Sequence, residues 1–213
     1  RFGLAAGAYL ALPTARRATL RRRYDLRARF NLQHASWPAW WLTADSEMKW
    51  PMSGEVDMLE YHHECESGRC PGELYPSAAY QPHGRGAEVH WTPTGEWRSP
   101  RLDAAFEAEF HNYTFRWSDT FLDFFIDGVH VRRADHTAIH ANPRDPYAGQ
   151  FAQLMRLDLA IPHTTNPAHT QWPIHFEVDY VRYFVVAPPP PPSPPPSPPS
   201  PPTPKPVSYT HLR

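Results

Sequence analysis

Three acids in GEVDMLEY (residues 54–61), namely Glu55, Asp57 and Glu60, are the side chains whose type and spacing best suit chemistry. On a strand, side chains alternate between faces. Glu55 and Asp57 then share a face, and Glu60 points the other way. A β-bulge resets the alternation, because two residues of the bulged strand oppose one on its partner. A bulge at Met58-Leu59 turns Glu60 onto the face of Glu55 and Asp57. At ~3.3 Å per residue, the Glu55 and Glu60 Cα atoms then lie roughly 13 Å apart, and their carboxyls can lean to about 5–6 Å. Retaining cleavage of a glycosidic bond holds nucleophile and proton donor about 5–5.5 Å apart, and inverting cleavage holds them farther. Asp57 between them raises the proton affinity of its neighbours by like-charge repulsion. A proton shared among the three keeps the donor protonated near neutral pH. The competing reading is a solvated acidic strand face, which needs no bulge.

Aromatic residues accompany the acids. Trp37, Trp40, Trp41, Trp50, Trp91, Trp97 and Trp117 are seven of the eight tryptophans. Some belong in the core, but a sheet face lined with Trp and acids is what stacking on sugar rings requires. The 13 histidines raise the question of a metal. His62-His63 follows the acidic motif directly, yet neighbours on a strand face opposite ways. No H-x-H or H-x-x-x-H pair falls at a plausible site, so the histidines read as surface or rim residues and no metal ligand is assigned. Cys65 and Cys70 flank a Ser-Gly turn and read equally as a small disulfide loop or as two free thiols.

The elements that must position these residues are short strands. RRRYDLRARF, ELYPSAAYQ, HNYTFRWS, TFLDFFIDG, VHVRRA, LMRLDLAI and HFEVDYVRYFVV are rich in aromatic or β-branched residues, often alternate, and are separated by turn residues. Asp127-Gly128 in FFIDGVHV suits a two-residue hairpin turn. No stretch reads as a long amphipathic helix, so a β-sandwich or barrel is expected.

The chain has 213 residues and a net charge of −1. That length suffices for one sizeable core. The charge gives no reason to expect nucleic acid or an anionic membrane as partner, and no apolar run is long enough to span a bilayer. Residues 3–15 look faintly like the apolar part of a signal peptide but are short and broken by Gly and Pro. The first residue is not Met, and the chain is read as a fragment. Composition changes at residue 188. Residues 188–206 hold 14 of the 27 prolines, as PPPPPSPPPSPPSPPTPKP, and are expected to form an extended polyproline II spacer. The expected organisation is a catalytic-type domain over 1–187, a linker over 188–206 and an unassigned tail over 207–213. Ser-Pro repeats of this kind resemble spacers of plant and green-algal extracellular proteins, so an extracellular or cell-wall location is expected.

The acidic motif resembles that of glycoside hydrolase family 16, in particular its laminarinase-type endo-β-1,3-glucanases, whose pattern is Glu-x-Asp-x-x-Glu. Further similarities follow in family order: RYDLRARF, WPAWWL, KWPMSGE, FHNYTFRW, FFIDGVHV and the closing strand EVDYVRYF. They cover roughly residues 20–186. The resemblance implies an all-β, concanavalin A-like jelly-roll β-sandwich of two antiparallel sheets with a substrate cleft, here lacking the family's first strands. It implies that Glu55 is the nucleophile, Glu60 the general acid/base and Asp57 the assistant of the nucleophile. Trp50 and Trp117 match positions that commonly line the cleft, and Trp41 in WPAWWL is a third candidate for substrate binding. Arg29 matches the arginine of the strand before the motif, with an exposed strand charge as the plain alternative.

There are departures. Arg27 stands where the family has Glu. Ala78-Ala79-Tyr80 replaces a T-x-H, which puts a supporting histidine in doubt. Asp158 replaces Asn, and Pro162-His163 replaces Gly-Gly. No cofactor is expected, although Asp179 matches a position that can hold a structural calcium. The resemblance implies a monomeric retaining endo-hydrolase of β-1,3-glucan. The alternatives are a hydrolase or transglycosylase of another wall polysaccharide, such as a galactan or mixed-linkage glucan, and a non-catalytic, lectin-like glucan-binding module.

Overall fold

The computed structural model describes residues 6–12, 21–44, 54–63, 73–74, 77–80, 89–91, 100–135, 147, 153–162 and 166–186. The elements are β1 (Ala6–Leu12), β2 (Arg21–Phe30), β3 (Trp37–Ala44), β4 (Glu55–His62), β5 (Glu73–Leu74), β6 (Ser77–Tyr80), β7 (Val89–Trp91), α1 (Ala104–Ala108), β8 (His111–Trp117), β9 (Phe121–Ile126), β10 (Val129–Asp135), β11 (Gln153–Ala160) and β12 (Phe176–Val186). One sheet of seven strands runs β1-β11-β3-β4-β6-β7, with β5 also paired to β4, and a sheet of five runs β10-β9-β8-β2-β12. Every pairing is antiparallel. This is the two-layer β-sandwich expected from the strand pattern. Ala6–Leu12, inside the stretch that looks faintly like a signal segment, pairs with β11 at the sheet edge.

Alternation explains how the layers pack. On the five-stranded sheet, Tyr24, Leu26, Ala28 and Phe30 of β2, Tyr113, Phe115 and Trp117 of β8, and Leu122, Phe124 and Ile126 of β9 are buried. Residues between them, such as Arg23, Arg116 and Asp123, face outward. Trp40, Leu42, Val56, Met58, Leu59, Tyr61 and Met155 of the larger sheet meet that inner face in the same hydrophobic cluster. Trp40 is completely buried. β3 did not announce itself by alternation because both of its faces are apolar or covered, as in WPAWWL.

Two glycines are required by backbone geometry. Asp127 and Gly128 have φ of 49° and 78°, as a tight turn between twisted strands demands, and Val129 pairs with Ile126 across it. Gly54, at φ 80°, turns the chain into the acidic strand in a conformation that a Cβ disfavours. The single described α-helix, α1, is one turn long and is capped by Asp103, whose Oδ1 accepts from the amides of Ala105 and Phe106 at 3.0 and 3.1 Å.

The bulge lies in β4. Its register with β3 reads Glu55↔Thr43, Val56↔Leu42, Asp57↔Trp41, then Leu59↔Trp40 and Glu60↔Ala39. Met58 has no partner and is the extra residue. Val56, Met58, Leu59 and Tyr61 all enter the core, so two successive side chains point inward and the outward series restarts at Glu60. Inserting one alanine after Leu59 should therefore abolish cooperative unfolding, because Glu60 and His62 would rotate into the apolar layer unpaired. Met58→Leu keeps the residue count and should cost less than about 1.5 kcal/mol. Urea denaturation of both variants distinguishes a requirement for register from one for volume.

Candidate active site

The outer face of β4 carries Glu55, Asp57, Glu60 and His62. Their cross-strand neighbours on β3 are Thr43, Trp41 and Ala39, and β11 adds Arg156 opposite Trp41 and Asp158 opposite Ala39. Although this face points away from the core, Asp57, Glu60 and His62 are only 7%, 8% and 4% exposed. Glu55 is half-buried. Carboxylates covered to this degree must be hydrogen-bonded.

Glu60 has two such partners on one oxygen. Trp37 Nε1 donates to its Oε1 at 3.2 Å, and His62 Nε2 lies 3.0 Å from the same atom. The Trp37 and His62 rings also pack together, with centroids 4.2 Å apart. Asp158 accepts from Trp41 Nε1 at 2.6 Å. The Arg156 guanidinium lies 4.8 Å from the centre of the Trp41 ring, a cation–π contact that holds the indole from the other side. Burial holds the Asp158 carboxyl above its ordinary range; the Trp41 hydrogen bond opposes that rise, the charge of Glu60 adds to it, and Arg156 opposes it. Ala39, between Asp158 and Glu60 in the register, has no side chain bulky enough to separate them.

Glu55 is anchored from below. The Tyr147 hydroxyl donates to the Glu55 carbonyl at 3.1 Å, and Trp117 Nε1 donates to the Tyr147 carbonyl at 3.0 Å. A chain of hydrogen bonds thus runs from the core to the first residue of the acidic strand.

Of the residues singled out from sequence, Glu55, Asp57, Glu60 and Trp41 fall on this face. Two others do not. Trp117 shares the inward parity of Tyr113 and Phe115 and is 4% exposed, so it is a core residue rather than a cleft-lining one. Arg29 lies on the outer face of the five-stranded sheet, paired with Glu177 at 3.0 and 3.1 Å, across the sandwich from the acids; it is the exposed strand charge. Trp50, Cys65 and Cys70 lie outside the described residues, as do residues 187–213. Asp179 pairs with Arg27 on that same outer face. A guanidinium already sits at this carboxylate, so the described donors do not fit a calcium ion. Among the described residues, no group of three or more His, Cys, Asp or Glu side chains could hold a metal ion.

Sequence reasoning missed His62, Trp37 and Asp158 as site residues. His62 is buried at Glu60, not on the surface or rim. The signal was present: once the bulge resets parity, residue 62 must share the face of residue 60. Trp37 is the first residue of WPAWWL, and Asp158 was visible only as a departure from Asn.

Asp158 yields a prediction with a definite sign. Its folded-state pKa is raised, so the ionised carboxyl lowers stability above the carboxylate range and is silent below it. Asp158→Asn should raise the Tm at pH 7, with a gain that shrinks as pH falls through the ordinary Asp range near 3.8. Differential scanning calorimetry at several pH values reads this directly, and a gain that is constant or grows toward low pH contradicts it.

Comparisons with known proteins agree with this architecture. The family model for glycosyl hydrolases family 16 matches residues 22–182. A glucan endo-1,3-beta-glucosidase of Cryptopygus antarcticus is 31% identical over 110 residues, which are 51% of this chain and 37% of that protein. The chain thus spans little more than a third of that relative. The fold is shared with an endo-beta-1,3-glucanase of Pyrococcus furiosus, at a TM-score of 0.58 and 19% identity over 84% of this chain and 64% of that one. It is also shared with a laminarinase catalytic domain from Thermotoga petrophila, at a TM-score of 0.55 and 20% identity over 76% and 62%. With the acidic strand, its bulge and the jelly-roll sandwich all in place, the chain belongs to glycosyl hydrolases family 16.

Proposed function

We propose that this chain hydrolyses β-1,3-glucan internally, with retention of configuration at the anomeric carbon. The observation that carries the proposal is the register skip at Met58, which sets Glu55, Asp57 and Glu60 on one covered face. In the first step a Glu55 carboxylate oxygen attacks the anomeric carbon as the bond to the leaving oxygen breaks. Glu60, protonated, gives its proton to that oxygen. A glycosyl ester on Glu55 results. Water then attacks the same carbon, Glu60 takes its proton, and the ester bond breaks to regenerate Glu55. Asp57, one strand period from Glu55, supports the nucleophile by hydrogen bonding. Like charge from Asp57 and Asp158 favours the protonated form of Glu60 before the first step. Trp41 and Trp37 supply ring surface beside the acids for stacking on sugars.

We place the enzyme outside the cell or in the wall, as a monomer acting on polymeric glucan. The support is the proline-rich segment after residue 187 and the activities of the relatives on polymeric glucan. A non-catalytic glucan-binding module is the competing reading, and Tyr80, where the family strand carries its histidine, is the departure that favours it.

Reducing-sugar release from laminarin, with Glu55→Gln beside the parent and binding measured for both, separates the two. The hydrolase reading expects release by the parent and a loss of roughly 10³-fold or more in the variant, with binding retained. Binding without release by a folded parent on laminarin, mixed-linkage glucan or agarose favours the binding module.

A further inference from the structure

We infer that His62 is the positioning residue of Glu60: together with Trp37 it fixes one carboxyl oxygen of the proton donor, so that the other oxygen carries the proton that moves. The inference rests on the reading of Glu60 as general acid/base.

Three observations support it. Both partners converge on Oε1, His62 Nε2 at 3.0 Å and Trp37 Nε1 at 3.2 Å. An indole nitrogen only donates, so Oε1 is an acceptor in this arrangement, and a His62 proton on Nε2 gives it a second donor of the same kind. His62 is 4% exposed and packs against the Trp37 ring at 4.2 Å, so the imidazole cannot swing away without opening the site. The third observation is what lies alongside. On β6, the strand that pairs with β4 on the other side, Ser77 stands opposite Asp57 and Ala79 opposite Glu55. Neither residue type offers an imidazole, and among the described side chains the histidine that touches Glu60 comes from the acidic strand itself, two residues beyond the acid it serves.

The chemistry then runs through one atom. Oε1 accepts from His62 and Trp37 in both protonation states of Glu60. Oε2–H breaks as the glycosidic oxygen takes the proton, and in the second step a proton from water returns to Oε2. The imidazole keeps its own proton throughout. A donor on Oε1 favours the carboxylate, whereas the charged groups facing Glu60, namely Glu55 and Asp57 on β4 and Asp158 on β11, favour the acid; Arg156 on β11 opposes them.

The test compares two substrates with the full chain. Cleavage of laminarin expels a sugar alkoxide and needs the proton. A dinitrophenyl β-glucoside oligomer expels a stable phenolate and does not. His62→Ala should lower kcat on laminarin roughly 10- to 100-fold, part of the 10²–10⁴-fold that general acid catalysis supplies, with KM little changed. The same variant should lose less than about 3-fold on the dinitrophenyl substrate, because no proton is required there. The alkaline limb of its kcat/KM profile should move to higher pH, since a group that favours the carboxylate has gone. His62→Gln, which retains an N–H donor, should recover part of the loss, and Trp37→Phe should be selective in the same way. If His62→Ala does not fold, His62→Gln and Trp37→Phe carry the test. Equal losses on both substrates, or no loss on laminarin, overturn the role of His62 while leaving the hydrolase intact. A folded parent that cleaves neither substrate overturns the hydrolase reading and this role with it.

Discussion

One unpaired residue in one strand determines what this sandwich can do. A regular β4 would alternate strictly, and Glu60 would be forced into the layer occupied by Tyr61, Leu59 and Trp40. Burying an unpaired carboxylate there costs several kcal/mol, more than a marginally stable domain can absorb. The bulge at Met58 removes that conflict by adding a second inward side chain and restarting the outward series. It also shortens the distance between the outward acids relative to an unbroken strand of the same length. The apolar core and the polar face are thereby satisfied by the same irregularity.

The two layers have different tasks. The five-stranded sheet supplies an aromatic inner face, and its outer face is an array of Arg–carboxylate and Arg–aromatic contacts, such as Arg29 with Glu177 and Arg116 over Phe125. Exposed pairs of this kind contribute little to stability. The seven-stranded sheet holds titratable residues buried or half-buried on its outer face, where a covered carboxylate needs a partner. Indoles provide several of them: Trp37 to Glu60 and Trp41 to Asp158, each with its ring against a second group, while Trp117 supports the Glu55 backbone through Tyr147. The tryptophan-rich sequence thus divides between core and site, and most of the indole nitrogens described hold the site's geometry.

Much of this was legible in the sequence because period two is a strong constraint. β2, β8, β9 and β12 were outlined by alternation, the β9–β10 turn by Asp-Gly, and the bulge by the parity of one glutamate. What parity cannot give is which face meets which layer. Trp117 and Arg29 were assigned to the cleft from the resemblance alone; each lies on the five-stranded sheet, one inward and one outward, and only the sheet order reveals that. β3 was opaque because both its faces are covered. His62 was set aside because it and His63 face opposite ways and cannot share a metal, although the rule that rescued Glu60 also places residue 62 beside it. Asp158 could be noticed only as an unusual residue, since its partner Trp41 is 117 positions away and its proximity to Glu60 arises from pairing across β3.

The proposed mechanism makes a claim about stereochemistry that a single measurement addresses. Proton NMR, recorded during the first minutes of laminarin hydrolysis by the full chain, reports the anomeric form of the new reducing ends before they equilibrate. The proposed double displacement through Glu55 predicts that the β-anomer appears first and the α-anomer grows in only by mutarotation. Initial release of the α-anomer would mean a single displacement by water, with no covalent role for Glu55, and would contradict the account.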